Sequence, residues 1–177
     1  MASAIHVQFY RVNLKGSSTE MEQEQIQDVI KMRGSIRVVL GDLEGRPLKE
    51  LLFENLLVTQ GRSWVLGQLE SVNIVTSQTI GFLAIGSGTN APTTADTGLN
   101  NEVTRIAVGT FVTTGLTNNP PSWQAQCSFA TNQANTTLAE VGLFNSSASG
   151  TMLAHATYAS FVKATSNTLN ISYTISG

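Results

Sequence analysis

Apolar and polar residues alternate with a period of two along most of this chain, which predicts β-strands. The alternating segments after residue 34 are separated by turns rich in Gly, Pro and Asn, the residues that most often break strands. Eight segments fit this strand pattern, and they read SIRVVLGD, KELLFENLLV, TIGFLAIG, EVTRIAVGTFVTTGL, SWQAQCSFA, TTLAEVGLF, TMLAHATYASFVKA and TLNISYTIS.

Two segments have a helical pattern instead. TQGRSWVLGQLES predicts a helix of two to three turns with Thr59 as its N-cap and Trp64, Val65 and Leu69 facing inward. A second short helix is predicted between Glu20 and Met32, where a Thr-Glu-Met-Glu capping-box pattern precedes a thin apolar stripe. Short strands with one core helix predict a mostly β protein, an antiparallel sandwich of the jelly-roll type.

The first 32 residues differ from the rest and predict an extended N-terminal arm, followed by a β-sandwich domain over residues 33–177. Residues 4–12, AIHVQFYRV, alternate as an isolated strand and are followed by a polar, acidic stretch. Such a strand can add to the sheet edge of a partner protein, although it can also pair with its own sheet. The residues predicted to contact a partner are Ile5, Val7, Phe9 and Tyr10.

Charge is scarce and unevenly distributed. Only 12% of the residues are charged, about half the usual share of about 25%. Seventeen of the charged residues lie in residues 1–70 and five in residues 71–177. A long charge-poor region indicates surface that contacts other protein, or else a neutral face solvated by hydroxyls and amides. We therefore expect a homo-oligomer, most simply a homotrimer.

The same composition argues against several other partners. The net charge of −2 provides no basic surface for nucleic acid or for an anionic membrane. No run of apolar residues reaches the length of about 18 to 20 that a membrane span needs, and the N-terminus does not resemble a signal peptide. Cys127 is the single cysteine, so we expect a buried structural thiol in a protein made in a reducing cytoplasm.

The stretch FLAIGSGTNAPTTADTGLNNEVTR resembles a nucleotide-binding loop but lacks its essential parts. A dinucleotide loop needs a third glycine where this chain has Ala91, and Pro92 follows without a helical segment. A phosphate-binding loop needs a lysine, and none occurs between Lys49 and Lys163. We expect a structured loop that binds no cofactor and no small-molecule substrate.

No catalytic or metal-binding group is predicted. His6 and His155 are the only histidines, and both are expected at ordinary polar strand positions, with Glu140 as the one further ligand near His155. The carboxylates Asp96 and Glu102 could act as a pair, but an ion pair of either one with Arg105 explains them without catalysis. The candidate for a sugar-binding platform is Trp123.

Three segments in the same order resemble β-rich virion proteins of tailed bacteriophages. They are LLFENLLVTQGRSWVLGQL, then the glycine loop up to its Glu-Val-Thr-Arg end, then LAEVGLFNSSASGTMLAHATY with LNISYTIS. The resemblance covers about residues 50–175 and implies a trimeric module of the kind found in capsid cement or decoration proteins and in tail-collar or fibre proteins. As a cement protein it would lie on the outer capsid surface and bind the major capsid protein.

The resemblance also implies a structural role for the glycine loop. Gly86 and Gly88 are expected to let the chain leave a strand through backbone angles that other residues avoid. Pro92 would stiffen the loop, Asp96 or Thr97 would cap local backbone, and Leu99 would hold its end in place. The predicted structural residues of this loop are Gly86, Gly88, Pro92, Asp96, Glu102 and Arg105.

Three roles remain open from the sequence. A capsid cement protein is favoured by the short chain and the arm. A tail-collar or tail-fibre component that touches host glycan shares the same motifs. A glycan-binding sandwich outside any virus is the third, and Trp123 with the loops is its main support.

Overall fold

The computed structural model describes residues 3–11, 24–70, 80–114 and 122–176. These residues form two antiparallel sheets and one helix, so the predicted mostly β sandwich with one short helix is confirmed. The elements in chain order are β1 (Ser3–Arg11), β2 (Glu24–Gly41), β3 (Pro47–Glu54), β4 (Leu56–Leu57), α1 (Thr59–Glu70), β5 (Phe82–Gly86), β6 (Glu102–Ala107), β7 (Thr110–Thr114), β8 (Ser122–Phe129), β9 (Thr137–Phe144), β10 (Met152–Val162) and β11 (Thr168–Ser176).

The larger sheet has six strands. Its order is β1-β2-β11-β8-β7, and β3 pairs with β2 as well. A tight turn after β2 sets up the β2–β3 pairing, with Gly45 at a φ of 79°, a conformation that favours glycine. Side chains on the inner side of this sheet are apolar, whereas those on the outer side are mostly amides and hydroxyls.

The smaller sheet has five strands in the order β4-β10-β9-β5-β6. One predicted strand segment, EVTRIAVGTFVTTGL, is divided between the two sheets. Its first part is β6 in the smaller sheet and its second part is β7 in the larger one. The chain changes sheets at Val108 and Gly109, whose backbone N–H groups donate to Gly81 and Gln126.

The core lies between the two sheets. Ile36, Val38 and Ile171 from the larger sheet pack with Leu83 and Val141 from the smaller one, and all five are at most 1% exposed. Helix α1 covers one end of this core, as predicted, through Trp64 and Val65. The side chain of Leu69, the third residue predicted to face inward, lies outside what the structure describes.

The second predicted helix is wrong, because residues 24–32 form the first half of strand β2. Each of these nine residues pairs with β1, so strand pairing overrides the weak helical pattern. The capping-box residue Thr19 lies outside the described residues. The boundary drawn at residue 32 falls within the continuous strand β2, whose second half pairs with β11 and β3.

No helix in the described part of the chain has the length and apolar character needed to cross a membrane.

Candidate functional site

The outer face of the five-stranded sheet contains a buried group of charged side chains. Glu140 on β9 and His155 on β10 are both fully buried, and Asp96 reaches them from the loop between β5 and β6. The imidazole lies between the two carboxylates, with Nδ1 2.7 Å from Asp96 Oδ2 and Nε2 3.2 Å from Glu140 Oε2. We call Asp96, Glu140 and His155 the carboxylate–imidazole cluster.

Glu140 anchors both ends of the loop formed by residues 87–101, which we call the covering loop. Its Oε1 accepts hydrogen bonds from the backbone N–H groups of Gly88 at 2.9 Å and Asn101 at 2.7 Å. Its Oε2 accepts one from Asn100 at 2.9 Å. With His155 included, each oxygen has two partners, which is the full capacity of a carboxylate.

The two glycines of the loop provide space for this carboxylate. A Cβ at Gly88 would lie 2.5 Å from Glu140 Oε1, and one at Gly86 would overlap the same oxygen. Neither glycine has a positive φ. The expectation that they permit unusual backbone angles is therefore wrong, and close approach of Glu140 is the physical reason for both.

Asp96 and Pro92 belong to the middle of the covering loop. Asp96 accepts hydrogen bonds from the Thr93 N–H at 2.9 Å and the Thr93 hydroxyl at 2.6 Å, so it caps local backbone as predicted. Its partial burial acts to raise the pKa of the carboxyl, but the bonds from Thr93 and His155 outweigh this and hold the pKa below its ordinary value. Pro92 lines a cavity of about 240 Å³ that also reaches His155.

Arg105 and Glu102 form a second charged group at the other edge of this sheet. Their side chains meet at 2.6 Å and 3.0 Å, which selects Glu102 over Asp96 as the partner of Arg105. The guanidinium lies 3.5 Å from the Phe144 ring centroid and donates to the carbonyls of Ser146 and Ser149. Arg105 thus fastens the loop after β9 to the sheet.

Apolar contacts complete the cover of this face. Leu99 packs with Phe144 and Met152 in a small cluster on the outer side of the sheet. Its Cδ2 approaches Gly142, where a Cβ would lie 3.1 Å away. Leu99 therefore holds the loop end in place, as expected from the sequence.

Lys163 is a further buried charge that the sequence analysis did not single out. The residue is 1% exposed, and Nζ donates to the Ala130 carbonyl and to Asn135 Oδ1, both at 2.9 Å. Burial lowers the pKa of this ammonium group. Lys163 is the first residue after β10, so its bonds hold the loop between β8 and β9 against the start of the connection from β10 to β11.

The two other candidates for chemistry lie inside the sandwich. Cys127 is a free, buried thiol as predicted, and burial raises its pKa to about 11. The rings of Trp123 and Phe111 contact each other at a tilt of 34°, with centroids 5.4 Å apart, beside a cavity of about 480 Å³. That cavity is apolar, lined by Met32, Trp64, Val65, Ile80, Phe111, Trp123, Leu153 and Ile175.

The predicted partner-contact residues lie in β1, and their backbones pair with the first half of β2. Their register partners are Ile30 for Ile5, Asp28 for Val7, Ile26 for Phe9 and Gln25 for Tyr10.

The cluster is suited to holding a loop. Both ring nitrogens of His155 are bonded to carboxylates, and both oxygens of Glu140 are saturated. The expectation that His155 occupies an ordinary polar strand position is wrong, because its side chain is fully buried and both ring nitrogens contact carboxylates. The feature of the sequence that could have indicated this buried cluster is Glu140, the one charged residue in the apolar strand TLAEVGLF. In the described ranges, no group of three His, Cys, Asp or Glu side chains is arranged to bind a metal ion.

Comparisons of the chain with known protein families, with curated proteins and with solved structures find no match.

Proposed function

We propose that this protein is a structural component of a tailed-bacteriophage virion, a homotrimeric capsid cement or decoration protein. It would contact the major capsid protein through its N-terminal strands and reinforce the head shell. The proposal is supported by the resemblance of residues 50–175 to virion modules. It is also supported by the architecture, a sandwich whose buried charges hold loops in place.

The observation that carries the proposal is the length of β2. Residues 33–41 pair with β11, whereas residues 24–32 pair with β1. Strand β3 pairs with β2 only as far as Ser35, and β11 only as far as Arg33. The residues of β2 that pair with β1 therefore extend beyond the ends of both β3 and β11. Nine residue pairs at about 3.3 Å per residue give an extension of about 30 Å, which we call the N-terminal hairpin.

A two-stranded extension of this length suits attachment to another protein. A hairpin by itself is marginally stable in water, and its edges carry unpaired backbone groups that a partner strand can satisfy. Three hairpins in a trimer would act together, so that modest binding by each one gives firm attachment to a shell.

Location on the virus particle tests the proposal directly. Antibodies raised against the purified protein would be used to label purified virions for electron microscopy. We expect label on the heads. Label on the tails would instead support the tail-collar or fibre role, and particles without label would refute a virion role of either kind.

Deletion of residues 1–31 tests the hairpin. We expect the shortened protein to keep its β-sheet circular dichroism and its oligomeric state, because β2 retains its pairing with β11 and β3. It should no longer sediment with virions that have been depleted of the protein. Equal binding would show that the hairpin does not attach the protein, and unfolding would show that the hairpin is part of the domain.

A full-length pair of variants provides a matched control. Changing Ile5, Val7 and Phe9 to Asp should abolish binding to depleted virions, since these are the residues predicted to enter an apolar groove. Changing His6 and Gln8 to Asp in the same strand should preserve binding. Equal loss of binding in both variants would contradict the assignment of Ile5, Val7 and Phe9 as the side of β1 that contacts the partner.

A further inference from the structure

Three neighbouring strands of the six-stranded sheet carry no charge. Strands β7, β8 and β11 contain no Asp, Glu, Lys or Arg, and the sheet order places them side by side. These three charge-free strands therefore form one continuous surface. We call this surface the neutral face, and it consists of Thr110, Val112, Gln124, Gln126, Ser128, Asn170, Ser172 and Thr174.

The two sheets differ in what covers their outer sides. The covering loop and Arg105 lie over the five-stranded sheet and bury Glu140 and His155 there. Among the described residues, Gln126, Ser128 and Asn170 on the neutral face are exposed. The fold thus has one covered outer face and one open one.

Five side chains of the neutral face form hydrogen bonds with one another. Gln124 Nε2 donates to Thr174 Oγ1 at 2.9 Å, and Gln126 Nε2 donates to Gln124 Oε1 at 2.5 Å. Ser128 Oγ donates to Asn170 Oδ1 at 2.6 Å. Burial of a polar group is costly when the group loses its hydrogen-bond partner. The groups on this face that are already paired can leave water at a lower cost.

The edge of the same face adds apolar area and balanced charge. Leu48 and Leu52 on β3 are 58% and 74% exposed. Arg37 and Glu50, on β2 and β3, pair at 2.8 Å. Register partners on neighbouring strands form a single row across the sheet, in the order Leu52, Arg37, Ser172 and Gln126. The surface therefore runs continuously from apolar edge to neutral centre.

We propose that the neutral face is the surface through which copies of this chain contact one another. The inference rests on the oligomer of the proposed function and identifies the part of the molecule that forms it. Together with the adjoining edge on β2 and β3, the neutral face spans five strands about 4.8 Å apart and about eight residues long, an area of about 600 Å². This area lies at the lower end of the range per partner in stable protein interfaces, about 600–1,000 Å².

A second copy is the occupant that fits this charge distribution. In a homo-oligomer, the same side chains converge from every subunit around the symmetry axis, so a face with net charge would repel itself. The centre of the neutral face has no charge, and at its edge the exposed Arg33 and Arg37 balance the exposed Glu50 and Glu54. Self-association here brings no net charge together.

Two nearly isosteric substitutions test the proposal. Gln126→Glu with Asn170→Asp adds two negative charges to the neutral face of every subunit. The control is Asn90→Asp with Asn132→Asp, which adds the same charge at exposed loop positions outside the six-stranded sheet. Wild-type protein and both variants would be compared by light scattering and native mass spectrometry over a range of concentrations, with circular dichroism to verify folding.

We expect the wild type and the control to be oligomers, and the neutral-face variant to be a folded monomer or to dissociate at least tenfold more readily. An unchanged oligomer in the neutral-face variant would overturn the assignment of this face while leaving the oligomer itself intact. A monomeric wild type would overturn self-association at the face and show that its hydroxyls and amides are simply solvated. Neither result would affect the location of the protein on virions, which the labelling experiment decides independently.

Discussion

A single buried carboxylate organises the longest described connection of the smaller sheet. Glu140 lies on a strand whose neighbours are apolar, and three backbone N–H groups together with His155 satisfy it. A buried charge without such partners is strongly destabilising, so the loop, the imidazole and the carboxylate depend on one another. Gly86 and Gly88, at the start of the loop, follow from the same requirement for space.

The space around Glu140 can be tested with one glycine pair. Gly88→Ala would place a Cβ 2.5 Å from Glu140 Oε1 and 2.6 Å from Asn100 Cβ, so the carboxylate or the loop must move. We expect a loss of about 2–3 kcal/mol in the free energy of unfolding, measured by urea denaturation. Gly98→Ala in the same loop is the control, since no atom lies within 4 Å of the added Cβ. Equal effects of the two substitutions would contradict the role assigned to Gly88.

The lowered pKa of Asp96 predicts a pH dependence of stability. Because the folded-state pKa lies below the ordinary value of 3.8, Asp96 stabilises the protein fully above that value and loses this contribution as pH falls through the folded-state pKa. We expect Asp96→Asn to be less stable than the wild type at pH 6 and the difference to shrink below about pH 4. Urea denaturation at pH 2.5 to 7 measures this, with Glu44→Gln in the exposed β2–β3 turn as control. A difference that does not change with pH would argue against the ionised Asp96–His155 contact.

At the scale of elements, the contact of α1 with β10 depends on the absence of a side chain. Gly61 lies in the first turns of the helix, and a Cβ there would overlap the Leu153 carbonyl. The start of the helix is also tied to the covering loop, because the Thr59 N–H donates to the Thr94 carbonyl at 2.7 Å. The helix therefore links the core to the covered face of the sandwich.

A second glycine pair tests this helix packing. Gly61→Ala should lower the free energy of unfolding by at least about 2 kcal/mol, because the backbone of β10 cannot move away without loss of strand pairing. At Gly67 in the same helix, no atom lies within 4 Å of an added Cβ. Gly67→Ala should therefore raise the free energy of unfolding by about 0.5–1 kcal/mol through helix propensity alone. Thermal and urea denaturation would measure both. A stabilised Gly61→Ala would show that the helix does not pack closely on β10.

At the scale of the whole molecule, both sheets share one core. Residues of the larger sheet, including Tyr173 and Phe129, pack in the same cluster as Leu143 and Ala154 of the smaller sheet. Neither sheet can bury its inner face without the other, so we expect the sandwich to unfold as one cooperative unit.

Cys127 reports on this cooperativity. It lies in the shared core, and burial raises the pKa of its thiol to about 11, so little reactive thiolate exists at pH 8. We expect a thiol reagent to label it only as fast as the β-sheet circular dichroism is lost, across a urea series. Fast labelling of protein that retains its full signal would show that β8 opens independently of the rest.

Strand identity and fold class followed from the sequence alone, because the period-two pattern reports directly which residues can face a core. SWQAQCSFA and TLNISYTIS became β8 and β11 with Cys127 and Ile171 facing inward. The pattern gave the wrong structure at residues 24–32, where a weak apolar stripe indicated a helix. These residues form a strand because they pair with β1. Local preference loses to tertiary pairing wherever the local signal is weak.

The charged site was decided by the tertiary structure. The sequence identified the glycine loop and an ion pair of Arg105 with Glu102 or Asp96, of which the structure shows the pair with Glu102. It did not connect Asp96 to His155 or Glu140 to Gly88, which are 59 and 52 residues apart. Short-range patterns show which side chains a strand presents to each face. Which distant charges meet on that face depends on strand order and register, and these arise only when the sheets assemble.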